Sequence, residues 1–210
     1  MLNNKNCILR LSKYKKALNR LKSLGFKKVF SDNLADAIGG TPSQVRKDFS
    51  IFDISGNKKG GYSIDDLLES LNKILGKDEM EEVILVGHGN IGTALLNYKG
   101  FPKEGIDIVA VFDNDTHKIC QTANPPILPI ENMASFIKDN KIKTAILAVP
   151  DFCAQSILDT MIKSGIKGVL NFAPLHLRTP EDFVITNVNL EMELEAVIYF
   201  VNAYEGQKEK

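Results

Sequence analysis

Six consecutive residues have the types and spacing of a dinucleotide-binding turn. Glycines at positions 87, 89 and 92 give the pattern G-x-G-x-x-G. In such a turn the first glycine permits a tight bend, the second lets the backbone approach a pyrophosphate, and the third allows a helix to pack closely on a strand. The predicted pyrophosphate site is formed by Gly87, His88, Gly89, Asn90, Ile91 and Gly92.

The segments around the turn strengthen this interpretation, because the pattern alone is a weak signal. Residues 82–86 are an apolar, β-branched run typical of a buried parallel strand. A second predicted strand, 106–112, is followed by Asp113, which lies 21 residues after Gly92. A carboxylate at this place binds the ribose 2′-hydroxyl of NAD and repels the 2′-phosphate of NADP. Asp115 could equally take this role.

Strands and helices continue to alternate after this point, as in a doubly wound parallel sheet. Strands are predicted at 127–129, 144–149 and 168–171, and helices at 131–140 and 151–164. The carboxyl ends of such strands line the cofactor crevice. The residues expected to flank the nicotinamide are Val149, Pro150, Asn171, Ala173 and Pro174. The equal alternative is that these residues only give the loops their shape and do not contact a cofactor.

The position of the glycine turn predicts a separate module ahead of it. The turn begins more than a third of the way along the chain, whereas it normally opens its domain. Residues 1–76 contain 14 basic and 7 acidic residues, and residues 77–210 contain 12 and 19. The basic module is therefore expected to meet a polyanion, although chance segregation of solvated charge would give the same balance.

The first module contains a helix-turn-helix pattern. Apolar residues at helical spacing predict a first helix that ends near Gly25 and a second over 32–38 that is capped by Ser31. A glycine pair ends the second helix, and Thr41 caps a third that reaches about Phe52. In this motif the later of the two short helices enters the major groove of DNA.

The third helix carries groups that can read DNA. Val45, Phe49 and Phe52 fall on one face and should point to the core, which leaves the polar residues of its N-terminal end towards solvent. Arg can pair bidentately with guanine, Gln can pair with adenine, and Lys and Ser can reach phosphates. The predicted DNA contacts are Ser43, Gln44, Arg46 and Lys47, with Lys58 and Lys59 on a glycine-rich wing. The alternative is that the charged residues of this helix are simply exposed to solvent and bind nothing.

A catalytic set does not accompany the predicted cofactor site. His88 lies within the glycine turn, and His117 and His176 have no evident partner. The three cysteines include no C-x-x-C pair, so neither a disulfide framework nor a zinc site is indicated. The sequence also lacks a signal-peptide core and any apolar run near the roughly 20 residues of a membrane span. We therefore expect a cytoplasmic protein without membrane contact.

The end of the chain is predicted to be an amphipathic helix over 189–205. Its apolar stripe comprises Leu190, Leu194, Val197, Ile198 and Val201. An apolar stripe at a chain end suggests docking on a partner subunit, and docking on its own domain is the alternative.

Motifs from both modules together resemble the Rex family of redox-sensing transcriptional repressors across nearly the whole chain. They are Q-V-R-K-D-F-S from Gln44, G-Y from Gly61, V-G-H-G-N-I-G-T-A-L from Val86, Y-K-G-F from Tyr98, F-D-N-D from Phe112 and G-V-L-N-F-A-P from Gly168. The resemblance implies an α/β protein with an N-terminal winged helix-turn-helix domain (1–76), a Rossmann domain with a doubly wound parallel sheet (77–188) and a C-terminal domain-swapped helix (189–205). It also implies a homodimer that binds palindromic operator DNA when NAD⁺ predominates and leaves it when NADH rises.

Some positions depart from the family pattern. An Arg of the first helix commonly pairs there with an Asp at the start of the swapped helix, next to a Tyr, and the matching residues here are Lys16, Asn189 and Tyr98. Lys16 and Asn189 cannot form that ion pair, because Asn carries no charge. The Gly-rich stretch that usually follows the third helix is also changed, and Lys59 replaces a usual Gly. DNA binding and NADH binding should both survive, while the coupling between them differs in strength.

A two-state dimer follows from the resemblance. NADH should favour a closed state in which its dihydronicotinamide is buried near Val149, Pro150, Ala173 and the partner's Leu190, since burying the charged ring of NAD⁺ is costly. An NAD-dependent dehydrogenase with an accessory N-terminal module is the alternative, although no acid–base residue is evident. A third interpretation is a regulatory nucleotide-binding subunit of a transport system. This interpretation gives no function to the basic residues of the third helix and the wing.

Overall fold

The computed structural model describes residues 5–55, 60–76 and 80–208. The chain divides into two compact units, Met1–Glu79 and Met80–Lys210, where the sequence predicts a boundary after residue 76. Each unit has its own apolar core. Within the described residues, no helix is long and apolar enough to cross a membrane.

The N-terminal unit is built from helices and a small antiparallel ribbon. Its described elements are α1 (Lys5–Ser23), β1 (Lys28–Val29), α2 (Ser31–Ile38), α3 (Pro42–Ile51), β2 (Tyr62–Ser63) and α4 (Ile64–Ile74). The two strands pair with each other, as at the base of a wing. Phe49 of α3 lies at the centre of the core, where its ring meets the edges of Tyr14 and Tyr62 at centroid distances of 5.5 and 5.2 Å. The three predicted helices are confirmed.

The starts of α2 and α3 are each fixed by a side-chain hydrogen bond to a backbone N–H group. Thr41 caps α3 as predicted, since its hydroxyl accepts the Gln44 N–H at 3.2 Å. Ser31 does not cap α2, because the helix already includes it and buries it. Instead the Asn33 side chain accepts the Phe30 N–H at 3.1 Å, which fixes the same helix start by another bond.

Helix α4 is not among the predicted elements. Its start signal is nevertheless present, because the Ser63 hydroxyl accepts the Asp66 N–H at 3.4 Å. Four apolar side chains then recur at helical spacing and are buried against α1, namely Ile64, Leu67, Leu68 and Leu71. This fourth helix completes the winged-helix core.

The C-terminal unit is a six-stranded parallel sheet with helices, which confirms the predicted α/β fold. Its strands are β3 (Glu81–Val86), β4 (Ile106–Asp113), β5 (Ile127–Pro129), β6 (Thr144–Leu147), β7 (Gly168–Asn171) and β8 (Val184–Asn187). Its helices are α5 (Asn90–Leu96), α6 (Gly100–Lys103), α7 (Met133–Asp139), α8 (Asp151–Ser164) and α9 (Leu190–Lys208). The spatial order β5-β4-β3-β6-β7-β8 is that of a doubly wound Rossmann sheet.

The strand order creates a switch point at the centre of the sheet. The chain runs outwards from β3 through β4 to β5, and then returns to β6 on the other side of β3. In open α/β sheets, ligands bind outside the carboxyl ends of the strands at such a point. The predicted sheet lacks β8, an edge strand of only four residues whose second half, Thr186 and Asn187, is polar and interrupts the apolar signal.

The last helix, α9, leaves its apolar side chains exposed. Nine large apolar side chains are at least half exposed, namely Leu190, Met192, Leu194, Val197, Ile198, Tyr199, Phe200, Val201 and Tyr204. The apolar stripe of α9 is therefore not packed against the Rossmann domain of its own chain. Asn189 caps the helix, because its side-chain oxygen accepts the Met192 N–H at 3.1 Å.

Candidate functional site

The glycine turn follows β3 and leads directly into α5. Gly87 has a φ of 97°, a left-handed conformation that favours glycine. A Cβ at Gly87 would collide with the Ala148 carbonyl, and one at Gly92 would collide with the carbonyl of Gly87. The turn is also tied to β4, since the Gly87 N–H donates to the Phe112 carbonyl at 2.8 Å. The tight bend and the close helix–strand contact expected from the spacing are both present.

Gly89 differs from the other two glycines because the protein does not need it for its own packing. A Cβ at this position would meet nothing within 4 Å, so the space beside the turn is open. Its φ of −82° is also ordinary for any residue. The absent side chain therefore leaves room for a group outside the protein, as expected where a backbone approaches a pyrophosphate.

The Asp113 carboxylate holds the glycine turn to the end of β4. Its two oxygens accept the His88 N–H at 2.7 Å and the Asp115 N–H at 2.8 Å. Burial disfavours its charged form, but these two bonds and the nearby Lys118 ammonium outweigh burial and lower the pKa of Asp113. The carboxylate is therefore ionised at neutral pH and already has partners within the protein.

Asp115 and Lys118 lie beside Asp113 and are more exposed. The Lys118 ammonium is 3.6 Å from an Asp113 oxygen and 3.8 Å from an Asp115 oxygen. Asp115 exposes 41% of its side chain, against 7% for Asp113. Both carboxylates stay candidates for the ribose. Lys118 was not predicted as part of this site, because the dinucleotide-binding fingerprint specifies only an acidic residue here. The one sequence signal for Lys118 is that it follows Asp115 by three residues, a spacing at which opposite charges can pair.

His88 has a ring nitrogen without a partner inside the protein. Its backbone N–H is bonded to Asp113, but its Nδ1 is buried and makes no hydrogen bond. A buried nitrogen left unpaired costs about 1–3 kcal/mol. Together with the open space at Gly89, this unpaired nitrogen fits a polar ligand bound at the turn.

The loop after β6 meets the glycine turn, as predicted for a common crevice. The Ala148 N–H donates to the Val86 carbonyl at 2.8 Å. A Cβ added to Gly87 would lie 3.0 Å from a methyl group of Val149, so the two loops touch. Val149 and Pro150 therefore lie beside the turn at the carboxyl end of the sheet.

Asn171, at the end of β7, is used within the protein. Its side chain is fully buried, donates to Ala173, Leu175 and Asn187, and accepts the Ala173 N–H at 2.9 Å. Direct contact of Asn171 with a nucleotide, which the sequence predicts, is not expected from this geometry. It instead shapes the loop that carries Ala173 and Pro174 at the crevice.

The N-terminal end of α3 presents three of the four predicted DNA contacts to solvent. Ser43, Arg46 and Lys47 are exposed, and the Arg46 guanidinium donates to the Ser43 hydroxyl at 3.3 Å. Gln44 is half-buried, and its amide donates to the Asp48 carboxylate at 2.8 Å. Gln44 therefore faces solvent only in part, and its role as a DNA contact stays a prediction. Lys58 and Lys59 lie outside the described residues.

The three residues matched to the family's switch have ordinary local environments. Lys16 is exposed on α1. The Tyr98 ring is 57% exposed and lies edge-to-face on Phe101 at a centroid distance of 5.1 Å, over Gly100, where any Cβ would collide with it. Asn189 is the cap of α9, so its side chain already has a structural partner.

Comparison with known proteins decides the family. A model described as a putative DNA-binding protein N-terminus matches residues 5–50, and one described as a CoA binding domain matches residues 78–175. The redox-sensing transcriptional repressor Rex of Desulforamulus reducens is 40% identical over 91% of this chain and 92% of its own length. The Rex protein of Clostridioides difficile is 39% identical over 96% and 98%.

The chain belongs to the Rex family of redox-sensing transcriptional repressors. The family predicted from the motifs is thereby confirmed. Crystal structures of a Rex-family repressor called RSP also match over the full chain. The structure of RSP alone has a TM-score of 0.88 at 33% identity, and the match covers 98% of the RSP chain. The complex of RSP with NAD⁺ and operator DNA has a TM-score of 0.92 at 33% identity and is covered to 97%.

Proposed function

We propose that this chain is a homodimeric repressor that binds operator DNA through α3 and is released when NADH rises relative to NAD⁺. The observation that carries this proposal is the presence, in one Rex-family chain, of an exposed basic α3 and of a glycine turn with open space at Gly89. RSP has been crystallised with NADH, and also with NAD⁺ and operator DNA.

On the DNA side, Arg46 is the proposed base reader. Its exposed guanidinium can pair bidentately with a guanine in the major groove, while Ser43 and Lys47 can reach phosphates. Two such helices in a dimer require half-sites separated by about one helical turn of DNA, roughly 34–36 Å, or a multiple of it. Lys58 and Lys59 are proposed to add phosphate contacts.

On the nucleotide side, the proposed pyrophosphate site is the segment from Gly87 to Gly92. Asp113 keeps this turn in place, and Asp113 or Asp115 would bind the ribose hydroxyls. Val149, Pro150, Ala173 and Pro174 would flank the nicotinamide. Their largely apolar surface favours the neutral ring of NADH over the charged ring of NAD⁺. This difference in affinity is what a redox sensor requires, because a ligand shifts a conformational equilibrium only by its differential affinity.

The dimer is proposed to form through α9. Its nine exposed apolar side chains would be hydrated in a monomer, and complete burial of one such aliphatic side chain on a partner contributes at most about 1.5–3 kcal/mol to the dimer. Exchange of this helix between protomers would bring the partner's Leu190 to the nicotinamide. Because Asn189 is uncharged, the family's ion pair with residue 16 is replaced by weaker contacts of Lys16, Asn189 and Tyr98.

We also propose that the chain is not an enzyme and acts where chromosomal DNA is, in the cytoplasm. Relatives are named as repressors. A dehydrogenase would oxidise NADH in the presence of small carbonyl compounds. A repressor should leave the absorbance of the reduced nicotinamide ring unchanged.

The test of the proposed function is an operator-binding titration with NADH at fixed NAD⁺. The DNA probe is the duplex that the wild-type chain selects from a pool of randomised palindromes. Affinity should fall as NADH is added, and Arg46→Ala should lose about 1–3 kcal/mol of specific binding at any NADH concentration. An affinity that ignores NADH would contradict sensing, whereas failure to select any duplex would contradict DNA binding.

A further inference from the structure

A buried carboxylate lies beneath the DNA-facing surface of α3. Asp48 is fully buried, and four side chains donate to its two oxygens. Arg10 of α1 approaches it with two nitrogens at 2.6 and 2.7 Å, and the Tyr14 hydroxyl lies at 3.0 Å. Gln44 lies at 2.8 Å and the Cys7 thiol at 3.4 Å. The cluster joins α3 to α1 across 38 residues of sequence.

The charges of this cluster are fixed by their neighbours. Burial opposes ionisation of Asp48, but the bonds from Arg10, Gln44, Tyr14 and Cys7 outweigh it and lower its pKa. The bond to Asp48 raises the pKa of Arg10, and burial together with Asp48 raises the pKa of Tyr14. The carboxylate is therefore charged, while the arginine and the tyrosine remain donors.

Gln44 lies one helical turn before Asp48 on α3 and is held by this charge. Reading adenine requires a Gln side chain to point outwards and to use both its amide N–H and its carbonyl on the base. Here one of the two amide N–H bonds of Gln44 is directed at Asp48 at 2.8 Å, and the half-buried side chain is held there by it. Turning it outwards would remove a charge-assisted hydrogen bond in a desolvated place, which is roughly twice as strong as a neutral one.

We propose that Gln44 is a positioning residue and not a base reader: with Arg10 and Asp48 it holds the first turn of α3, and it leaves base reading to Arg46. This inference rests on the proposed DNA binding. It follows that loss of the Gln44 bond tilts or loosens the DNA-facing end of α3. All contacts of the helix then weaken together, and no single base pair loses its recognition.

The test measures the affinity of variants for the wild-type-selected duplex and for each of its single-base-pair changes. Gln44→Met keeps the size of the side chain and removes the donor. Its affinity should fall about ten- to a hundredfold, by the same factor on every duplex, as expected for one lost hydrogen bond to a charge. The matched control is Arg46→Met, which should relax discrimination at one base pair per half-site.

Gln44→Glu separates the two roles further. A Glu that reads bases accepts from cytosine N4 and would change the preferred base pair. A Glu facing the buried Asp48 is instead repelled, so affinity should fall more than in Gln44→Met while the preferred sequence stays the same. A changed preference, or relaxation at one base pair in Gln44→Met, would overturn the proposal.

A double-mutant cycle checks that Gln44 acts through Asp48. In an Asp48→Asn background, Gln44→Met should cost less than it does in the wild type, because its charged acceptor is already gone. Equal costs in both backgrounds would show that Gln44 acts on DNA without Asp48. Thermal unfolding of each variant confirms that it is folded at the temperature of the binding assay. If the wild-type chain selects no duplex, the proposed function itself fails, which is a different result from a changed base preference.

Discussion

The backbone N–H of His88 donates to the Asp113 carboxylate across 2.7 Å, which joins the glycine turn after β3 to the end of β4. The acid that the sequence fingerprint assigns to the ribose thus also holds the turn in which we propose the pyrophosphate binds. The neighbouring Asp115 has no bond to the turn among the hydrogen bonds of the described residues, so the two carboxylates can be separated by mutation.

Asp113→Asn should weaken both the fold and nucleotide binding. The variant keeps the shape but loses the negative acceptor of two backbone N–H groups, and hydrogen bonds to charged groups contribute about 1.5–3 kcal/mol. Urea unfolding should show this loss, and a fluorescence titration should show weaker NADH binding. Asp115→Asn is the matched control and should leave stability nearly unchanged. Equal stability of both variants would contradict the framing role of Asp113.

Gly89→Ala should bind NADH poorly while remaining as stable as the wild type. The added methyl group meets no protein atom within 4 Å, but it occupies the space in which we place the pyrophosphate. Affinity for NADH, measured by calorimetry, should fall at least about tenfold, which corresponds to roughly 1.4 kcal/mol. Unchanged affinity would place the dinucleotide elsewhere.

Gly92→Ala is the contrasting variant in the same turn. Its methyl group would collide with the Gly87 carbonyl, so the strand and α5 must separate. Overpacking of this kind typically costs 1–3 kcal/mol, and we expect a loss of about that size in the free energy of unfolding. Thermal unfolding should therefore rank this variant well below Gly89→Ala, and the reverse order would contradict the geometry of the turn.

Stability should depend on pH through Asp48. Because the pKa of Asp48 is lower in the folded than in the unfolded chain, its stabilisation is present in full above the unfolded value of about 3.9 and is lost as pH falls through the folded value. The difference in unfolding free energy between wild type and Asp48→Asn should be large at pH 7 and shrink below pH 4, about where unfolded Asp titrates. A constant difference would mean that the charge is not what stabilises the cluster.

Replacing an apolar residue of α9 by a charge should break the proposed dimer. Ile198→Lys places an ammonium in the stripe that we propose to be buried, and the loss of one buried apolar side chain costs about 1.5–3 kcal/mol. Sedimentation velocity should show the monomer at concentrations where the wild type is dimeric. Glu195→Lys, on the same helix but outside the stripe, should stay dimeric. Dimers of equal stability in both variants would contradict the role of α9.

Local signals in the sequence were enough for much of the nucleotide site. The glycine turn directly follows the apolar run of β3, and the acid that ends β4 comes at a characteristic spacing after the turn; the structure places them at one edge of the sheet. Thr41 likewise marks the start of α3 because a cap acts over three residues. These features depend on near neighbours, which a sequence shows directly.

Features that depend on distant neighbours were not predicted. The orientation of Gln44 is determined by Asp48 and Arg10, and Arg10 lies 38 residues from Asp48 in sequence. The side chain of Asn171 is oriented by Asn187 on β8, a strand that was itself missed. The partner of the Asn171 side chain lies on another strand, and the partner of Gln44 lies on the same helix but is itself held by Arg10 of α1.

The glycine turn is held from both sides, by Phe112 and Asp113 of β4 and by the loop at Ala148 that follows β6. A turn fixed in this way needs no ordering when a ligand arrives, so association is free of a slow loop-closing step. The time that such a repressor needs to register a fall in NADH is then set by how fast the nucleotide dissociates. Variants that loosen the turn would change the speed of the response as well as its threshold.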